Sequence, residues 1–233
     1  LHVIEDAAQA VDSRYKDKFA GSLCELGAFS FHASKSYSSG EGGALTVNNE
    51  KYFERSEFLW EKGTDRTLVV QGLKNKYSWV DYGSSFLPSD ILASILYAQL
   101  EKKELLLNKR KKLYDAYLAT FKPLCEYGLQ MIHIPKHVET NYHAYWIIFP
   151  YEKQRDYFLQ LSLEKGVNPY IGYIPLHSSP MGKKLGGLKY NLSITNRVAS
   201  TITRLPFYIM SEEEIEYACS VMYDAAKAAL QVI

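Results

Sequence analysis

Short apolar runs separated by polar and glycine-rich stretches fill the first fifty residues. Runs of this kind, bounded by turn-forming residues, are typical of strands. We therefore predict strands at residues 2–4, 27–31 and 44–47, and a hairpin within the polar stretch 13–21.

Helical spacing of apolar residues begins near residue 50. Residues 50–62 are predicted to form a helix that ends at Gly63, since glycine favours helix C-termini. Phe53, Leu59 and Trp60 are its candidate apolar contacts. Residues 64–82 lack a clear period, and we predict a long ordered loop there.

Two further blocks complete the predicted architecture. Ser89 is the expected N-cap of a long or broken helix that runs to residue 118 and links two domains. Short alternating elements follow, with strands at 141–149 and 166–171 and helices at 152–165, 194–202 and 212–230. We predict an α/β chain, with a large domain at 1–118 and a small α+β domain at 119–233.

Composition narrows the possible functions. The chain has 233 residues, 47% of them hydrophobic, and a net charge of +1, which gives no electrostatic reason to expect nucleic acid or an anionic membrane as a partner. No apolar run approaches a membrane span. Three distant cysteines indicate buried thiols in a reducing compartment and therefore a cytoplasmic protein: Cys24, Cys125 and Cys219. His32 and His143 have no partner at metal spacing, and we expect no metal.

Lys35 is the first residue that suggests chemistry. It stands among hydroxyl and small side chains, between the predicted strands 27–31 and 44–47. A lysine amine held partly out of water loses its proton more readily and becomes available for Schiff-base formation. The structural alternative is a lysine on a surface loop.

Asp6 follows the predicted strand 2–4. Ligands of open α/β sheets lie beyond the carboxyl ends of strands, so Asp6 is expected to face a site. An aspartate and a lysine on neighbouring strand ends are what pyridoxal phosphate (PLP) requires, because the carboxylate keeps the pyridine nitrogen protonated and the lysine forms the imine. The alternative for Asp6 is the N-cap of a short helix or turn over residues 7–11.

These residues belong to longer motifs spread along the whole chain. The most specific are Glu5-Asp-Ala-Ala-Gln9 and Ser30-Phe-His-Ala-Ser-Lys35, and they are accompanied by Gly40-Glu-Gly-Gly43 and Tyr173-Ile-Pro-Leu-His177. In them the chain resembles the DegT/DnrJ group of sugar-nucleotide aminotransferases, which are PLP-dependent enzymes of fold type I. Within the group it is most similar to the dTDP-4-amino-4,6-dideoxygalactose transaminases. The resemblance implies that the large domain is the C-terminal part of a PLP-transferase domain with a mainly parallel sheet.

The resemblance also implies roles for four residues around the cofactor. Lys35 would be the catalytic lysine that binds PLP, and Asp6 would pair with its ring nitrogen. Ser30 would bind the phosphate, where a hydroxyl makes a short charge-assisted hydrogen bond. Gln9 would lie against the ring.

Further residues would meet the substrate and a second copy of the chain. Tyr173 and His177 are expected to approach the sugar nucleotide, although Gly172 stands where close relatives have histidine. Ser85 stands where many members carry an asparagine that reaches the partner's cofactor phosphate. Since members of the group use the region 64–82 at a dimer interface, we expect a homodimer.

The implied reaction moves an amino group from L-glutamate to C4 of a dTDP-4-keto-6-deoxyhexose, for cell-surface polysaccharide biosynthesis. Relatives that dehydrate sugars can carry histidine at the position of Lys35, so the lysine favours transamination. The group has a further N-terminal stretch, and this chain begins inside a predicted strand; we expect it to be the C-terminal part of a longer protein. Two alternatives stay open, namely an inactive fragment that folds and dimerises, and a regulatory relative that senses a sugar.

Overall fold

The structure is a computed structural model that describes residues 1–232, without the side chain of Leu188. Packing divides the chain into two compact units. The first unit comprises Leu1–Glu104 and Pro135–His143, and the second unit comprises Leu105–Ile134 and Ala144–Ile233. The domain boundary predicted after residue 118 stays a prediction.

Five strands come first along the chain, four α-helices follow them, and strands and helices are mixed in the remainder. The strands are β1 (Ile4–Asp6), β2 (Arg14–Tyr15), β3 (Lys18–Phe19), β4 (Leu26–Ser30), β5 (Gly43–Val47), β6 (Gln130–Met131), β7 (Val138–Glu139), β8 (Trp146–Ile148), β9 (Tyr170–Ile171) and β10 (Ile202–Arg204). The α-helices are α1 (Phe53–Trp60), α2 (Arg66–Val70), α3 (Asp90–Leu100), α4 (Lys103–Phe121), α5 (Glu152–Glu164), α6 (Pro180–Lys184), α7 (Ser193–Thr201) and α8 (Glu212–Leu230).

The main sheet of the first unit has the strand order β1-β4-β5. Strand β1 runs parallel to β4, with Asp6 opposite Ala28, and β4 runs antiparallel to β5, with Ser30 opposite Gly43. The sheet that the sequence predicts as mainly parallel thus has one parallel and one antiparallel pair within the described residues. Asp6 and Ser30 end adjacent parallel strands and therefore lie at the same edge of the sheet.

A glycine lets a loop pack closely against β4. A Cβ atom on Gly27 would lie 2.5 Å from the carbonyl oxygen of Gly21 and 2.6 Å from Thr46 Oγ1. The same carbonyl accepts hydrogen bonds from Thr46 Oγ1 at 2.5 Å and from Asn48 Nδ2 at 2.8 Å. Any larger residue at position 27 would push this loop away from the strand that carries Ser30.

The predicted hairpin is confirmed and is part of a second sheet. Strands β2 and β3 form the hairpin, and β7 pairs antiparallel with β2, so that Arg14 lies opposite Glu139 and Tyr15 opposite Val138. This pairing brings residues 135–143 into the first unit.

The segment after α1 differs from the predicted loop. Residues 64–82 contain the helix α2, which is too short to produce a periodic sequence pattern. Helix α1 also ends before the predicted residue 62, at Trp60. Lys62 adopts the left-handed conformation, with φ +62°, and Gly63 follows it. The Gly63 N–H donates to the Phe58 carbonyl at 2.7 Å, which closes the last turn of the helix.

Carboxylates hold this segment together. The buried Asp65 carboxylate accepts hydrogen bonds from the Lys74 ammonium group and, at 2.6 Å, from the Ser78 N–H. These bonds, with that of Lys74 the strongest, hold the pKa of Asp65 below its usual value. Glu61 and Asp81 each lie beside basic side chains, and their pKa values are lowered for the same reason.

Many apolar side chains of the first unit face outward. Two of the candidate apolar contacts of α1 are about half exposed, Phe53 at 49% and Trp60 at 46%, because nothing in the described chain covers them. The exposed set continues through the following helices and loops: Val70, Leu73, Tyr77, Trp79, Val80, Tyr82, Phe86, Leu87, Ile91, Ile95 and Tyr97.

The helix start at Ser89 is confirmed. Its hydroxyl accepts a hydrogen bond from the Leu92 N–H at 3.3 Å, as expected of an N-cap. The predicted long or broken helix is broken, since α3 ends at Leu100 and α4 begins at Lys103.

The second unit contains a four-stranded antiparallel sheet of order β6-β8-β10-β9. Helices α5, α7 and α8 agree closely with the predicted helices. The predicted strands 141–149 and 166–171 are shorter in the structure, where they correspond to β8 and β9. The sequence does not predict β10, because this strand follows α7 without an intervening turn. Large buried side chains form the core: Tyr117, Phe121, Tyr145, Ile147, Phe149 and Phe158.

The three cysteines are free thiols. Cys24 and Cys219 are half-buried, and burial raises the pKa of the Cys219 thiol. The prediction of buried thiols is wrong for Cys125, which is exposed and lies in the 3-10 helix Lys122–Tyr127 after α4. Among residues 1–232, no helix is long and apolar enough to cross a membrane, and no group of metal-ligating side chains occurs.

We predict that the segment around Asp65 becomes less ordered in acid. A carboxylate whose pKa is lowered in the folded protein stabilises the fold at pH values above its ordinary pKa, near 3.8 for Asp65. This stabilisation is lost as the pH falls through the lowered pKa. Tryptophan fluorescence, which reports on Trp60 and Trp79 beside this segment, should be constant from pH 7 to about pH 4 and change below it.

Asp65→Asn provides the test of this interpretation. The variant keeps the shape of the side chain but loses the ion pair, so its emission should already differ at pH 7 and vary less with pH. Asp115→Asn removes an exposed carboxylate on α4 and should behave like wild type. Identical titrations of Asp65→Asn and wild type would contradict the prediction.

Candidate functional site

Lys35 lies in a loop that joins β4 to β5 and is closed by its own backbone. The Ser39 N–H donates to the Phe31 carbonyl at 2.9 Å, and the Ala33 N–H donates to the Gly40 carbonyl at 2.7 Å. Gly40 has φ +85°, a conformation that glycine adopts readily. Lys35 itself is half-buried, and its N–H donates to the His32 carbonyl at 2.9 Å. The lysine is therefore carried by an ordered loop.

A small pocket in the first unit brings together three of the predicted site residues. Gln9, Ser30 and Lys35 line it, from the turn after β1, the end of β4 and the following loop. The other polar side chains in its wall include Asn141 and His143. The structure thus brings together an amine, a hydroxyl and an amide.

Asp6 lies at the same edge of the sheet but outside the wall of this pocket. It is the last residue of β1, is exposed, and its Oδ1 accepts the Ala8 N–H at 3.1 Å. Residues 7–12 form turns, which agrees with the short helix or turn predicted there. The carboxylate thus caps a local turn at the end of β1.

A buried asparagine, which the sequence pattern does not single out, fixes the turn after β1. Asn141 is 3% exposed, and its Nδ2 donates to the carbonyl oxygens of Gln9 at 2.8 Å and Val11 at 2.9 Å. Its N–H donates to Ser13 Oγ at 3.2 Å. Asn141 is the first residue of the predicted strand 141–149, of which the structure forms only β8.

A buried tyrosine anchors the loop of Lys35 from the other side. Tyr37 is 2% exposed, and its hydroxyl donates to the Asp12 carboxylate at 2.9 Å. The same carboxylate accepts a bond from the Lys103 ammonium group at 3.1 Å. Asp12 has φ +66°, so the turn after β1 places its side chain at this junction.

His143 reaches the residue next to Lys35. Its Nδ1 lies 3.0 Å from Ser36 Oγ, and the two residues are 107 positions apart in the sequence. The expectation that His143 holds no metal leaves its role open, and the structure places it beside the candidate lysine.

The three remaining predicted residues lie elsewhere. Ser85 is exposed, pairs with Glu61 through an isolated antiparallel bridge, and does not line the pocket. Tyr173 and His177 belong to the second unit, where Tyr173 is 83% exposed and the Arg204 guanidinium lies 5.6 Å from its ring centre. Their contacts with a partner or a substrate stay predictions.

The chemistry of the site agrees with the groups that PLP needs. Lys35 offers a primary amine for a covalent bond, and Ser30 offers a hydroxyl for a phosphate oxygen. Asp6 offers a carboxylate at the neighbouring strand end. The residues present therefore fit the cofactor, and two polar anchors from the segment 135–143 hold the walls of the pocket.

Comparison with known proteins gives an independent result. Residues 1–223 match the DegT/DnrJ/EryC1/StrS aminotransferase family. An uncharacterized protein of Methanocaldococcus jannaschii is 32% identical over 196 residues, which are 81% of this chain and 50% of that protein. The GDP-perosamine synthase of Escherichia coli O157:H7 is 27% identical over 226 residues, or 94% of this chain and 57% of that enzyme. The chain thus spans about half the length of these relatives.

A solved structure supports the fold. A Streptococcus pneumoniae protein assigned as a sugar aminotransferase has been solved in PMP and PLP forms, which superpose with TM-scores of 0.82 and 0.78. Both are 24% identical to this chain and cover 98% of it, while the chain covers 60% and 58% of them. The chain therefore has the fold of a fold-type I aminotransferase, as predicted.

We predict that Tyr37→Phe lowers the free energy of unfolding by about 2 kcal/mol, because the Asp12 carboxylate loses a buried donor. Urea unfolding followed by circular dichroism measures the loss. The control Tyr151→Phe removes a hydroxyl from a ring that is 66% exposed and should leave the free energy within about 0.5 kcal/mol of wild type. Equal stabilities of the two variants would refute the role assigned to the Tyr37 hydroxyl.

Proposed function

Because the chain belongs to the DegT/DnrJ/EryC1/StrS aminotransferase family, we propose that it transfers an amino group to a nucleotide-linked sugar with PLP as cofactor. The match confirms the family resemblance predicted from the motifs. One observation carries the proposal for this chain: Lys35 shares a pocket with Ser30 and Gln9, at the sheet edge where Asp6 ends the neighbouring parallel strand.

Four residues would hold the cofactor. Lys35 Nζ would bind it covalently, and the Ser30 hydroxyl would donate a hydrogen bond to its phosphate. The Asp6 carboxylate would accept the N–H of the protonated ring nitrogen, and the Gln9 side chain would lie against the ring. When bound, PLP supplies an electron sink that stabilises negative charge at the carbon that loses a proton.

Lys35 would also move the protons. Its amine accepts the proton that the amino donor loses from Cα, and it returns a proton when the amino group reaches the sugar. A base of this kind must be within hydrogen-bond reach of the reacting carbon. The closed backbone of the loop 31–42 and its anchors, Tyr37 and Ser36, limit how far the amine can move.

For the substrates, we propose L-glutamate as donor and C4 of a dTDP-4-keto-6-deoxyhexose as acceptor, in the cytoplasm and for cell-surface polysaccharide biosynthesis. The motif resemblance supports this choice. Tyr173 and His177 would bind the sugar nucleotide, and the ring of Tyr173 is exposed enough to stack on a base or sugar. The Escherichia coli relative is named for a GDP sugar, so the nucleotide must be tested directly.

A homodimer would give the exposed apolar residues of the first unit a partner. Trp79, Tyr82 and Phe86 are between 65% and 81% exposed and lie within one stretch of eight residues, 79–86. Contiguous exposed apolar surface of this kind marks an interaction site. Ser85 lies among these residues and would reach the cofactor phosphate of the second copy.

We predict that incubation with PLP followed by borohydride reduction labels Lys35, as identified by mass spectrometry of the peptides. Lys35→Ala should lose this adduct, and Lys153→Ala, which removes an exposed lysine of α5, should keep it. A wild-type protein without the adduct would overturn the proposal for this chain.

We also predict formation of 2-oxoglutarate from L-glutamate when a dTDP-4-keto-6-deoxyhexose is present. Lys35→Ala should reduce the rate by at least about 10²-fold, since it removes the proton carrier as well as the covalent anchor. A GDP-4-keto-6-deoxyhexose, tested in parallel, decides the nucleotide. A Lys35 adduct without turnover on either sugar would favour the regulatory relative, and a folded protein without any adduct would favour the inactive fragment.

A further inference from the structure

His143 is expected to bind no metal, yet the structure places it in the wall of the candidate site. It lines the pocket of Lys35, and its Nδ1 lies 3.0 Å from Ser36 Oγ in a partly buried position. The proposed reaction assigns it no role. Because Ser36 directly follows Lys35, the bond to His143 acts on the backbone that carries the reactive amine.

The anchors of this loop come from different parts of the first unit. The Ser38 N–H donates to Gln99 Oε1 at 3.0 Å, and the Tyr37 hydroxyl donates to Asp12 at 2.9 Å. The bond from His143 to Ser36 is the one adjacent to the lysine. Its loss would release the part of the loop that determines where Nζ points.

The same short segment also holds the opposite wall. Asn141 donates to the carbonyl oxygens of Gln9 and Val11, in the turn that follows β1. Tyr142, between Asn141 and His143, has φ +52°, so the chain bends there. One bend therefore carries an anchor for each of the two loops that face each other across the pocket.

We propose that His143 is a positioning residue for Lys35, and that together with Asn141 it sets the spacing between the Lys35 loop and the turn that carries Gln9. The proposal rests on the proposed function for the statement that Lys35 reacts with PLP. The positioning itself concerns the protein without cofactor, and it is tested there first.

The first experiment is amide hydrogen exchange of the PLP-free protein, read by mass spectrometry on peptides covering residues 31–42. His143→Leu and Ser36→Ala each remove the bond and should speed exchange in this loop about fivefold, with little change in peptides of the second unit. His143→Asn keeps a side chain that can bond to Ser36 and should restore slow exchange. His133→Leu, at an exposed position, is the matched control.

The second experiment measures the rate at which the reducible Lys35 adduct forms, as a function of the PLP concentration. A positioning role predicts a rate at saturating PLP that falls about fivefold or more in His143→Leu and Ser36→Ala, with the half-saturating concentration little changed. The double variant should be no slower than His143→Leu alone, because both changes remove the same bond.

The outcomes separate the two proposals. Unchanged exchange and an unchanged adduct rate in folded His143→Leu and Ser36→Ala would overturn the positioning role. If His143→Leu fails to fold, Ser36→Ala, which removes only a hydroxyl, decides whether the bond positions the loop. Absence of the Lys35 adduct in wild type would remove the proposed function, whereas faster loop exchange in the two variants would still support the anchor.

Discussion

The parallel pairing of β1 with β4 is the constraint on which the candidate site depends. It places Asp6 opposite Ala28, so the strand that ends at Asp6 and the strand that ends at Ser30 finish at the same edge. The turn with Gln9 and the loop with Lys35 both leave the sheet there and face each other. Ligand sites of α/β proteins form at this kind of edge because the chain leaves the strands there with free backbone groups and side chains.

Polar contacts hold many of the loops of the first unit. Of the described apolar residues that are fully buried, only Ala7 and Tyr37 precede residue 105, whereas the second unit has a continuous aromatic core. Hydrogen bonds from side chains to carbonyl oxygens, as from Asn141 and Asn48, and paired carboxylates, as at Asp65, hold together loops that apolar packing would hold elsewhere. Such bonds are directional, so they fix loop conformations as well as stabilise them.

The parts of the site that can be predicted from the sequence are those encoded locally. Lys35 and Ser30 belong to one motif, and Gln9 and Asp6 to another, so their spacing is visible in the chain itself. Tyr37, Asn141 and His143 act through partners that are distant in sequence, and no local pattern identifies such partners. Local encoding also decides which elements of the fold can be predicted. Helices α5 and α8 are long enough to repeat their apolar pattern several times and agree with the prediction, whereas α2 and β10 are too short to show a repeating pattern.

The bond between Ser36 and His143 also has a consequence for the order in which the protein is made. Ser36 and His143 are 107 positions apart, so the loop that carries Lys35 is synthesised well before its anchor. At about 5 to 20 residues per second, this interval lasts roughly 5 to 20 s. During that time the nascent chain carries the reactive lysine without the pocket that orients it, and closing the long loop is required before the site exists. A competent site is therefore a late product of folding, and its assembly reports that both ends of the first unit have come together.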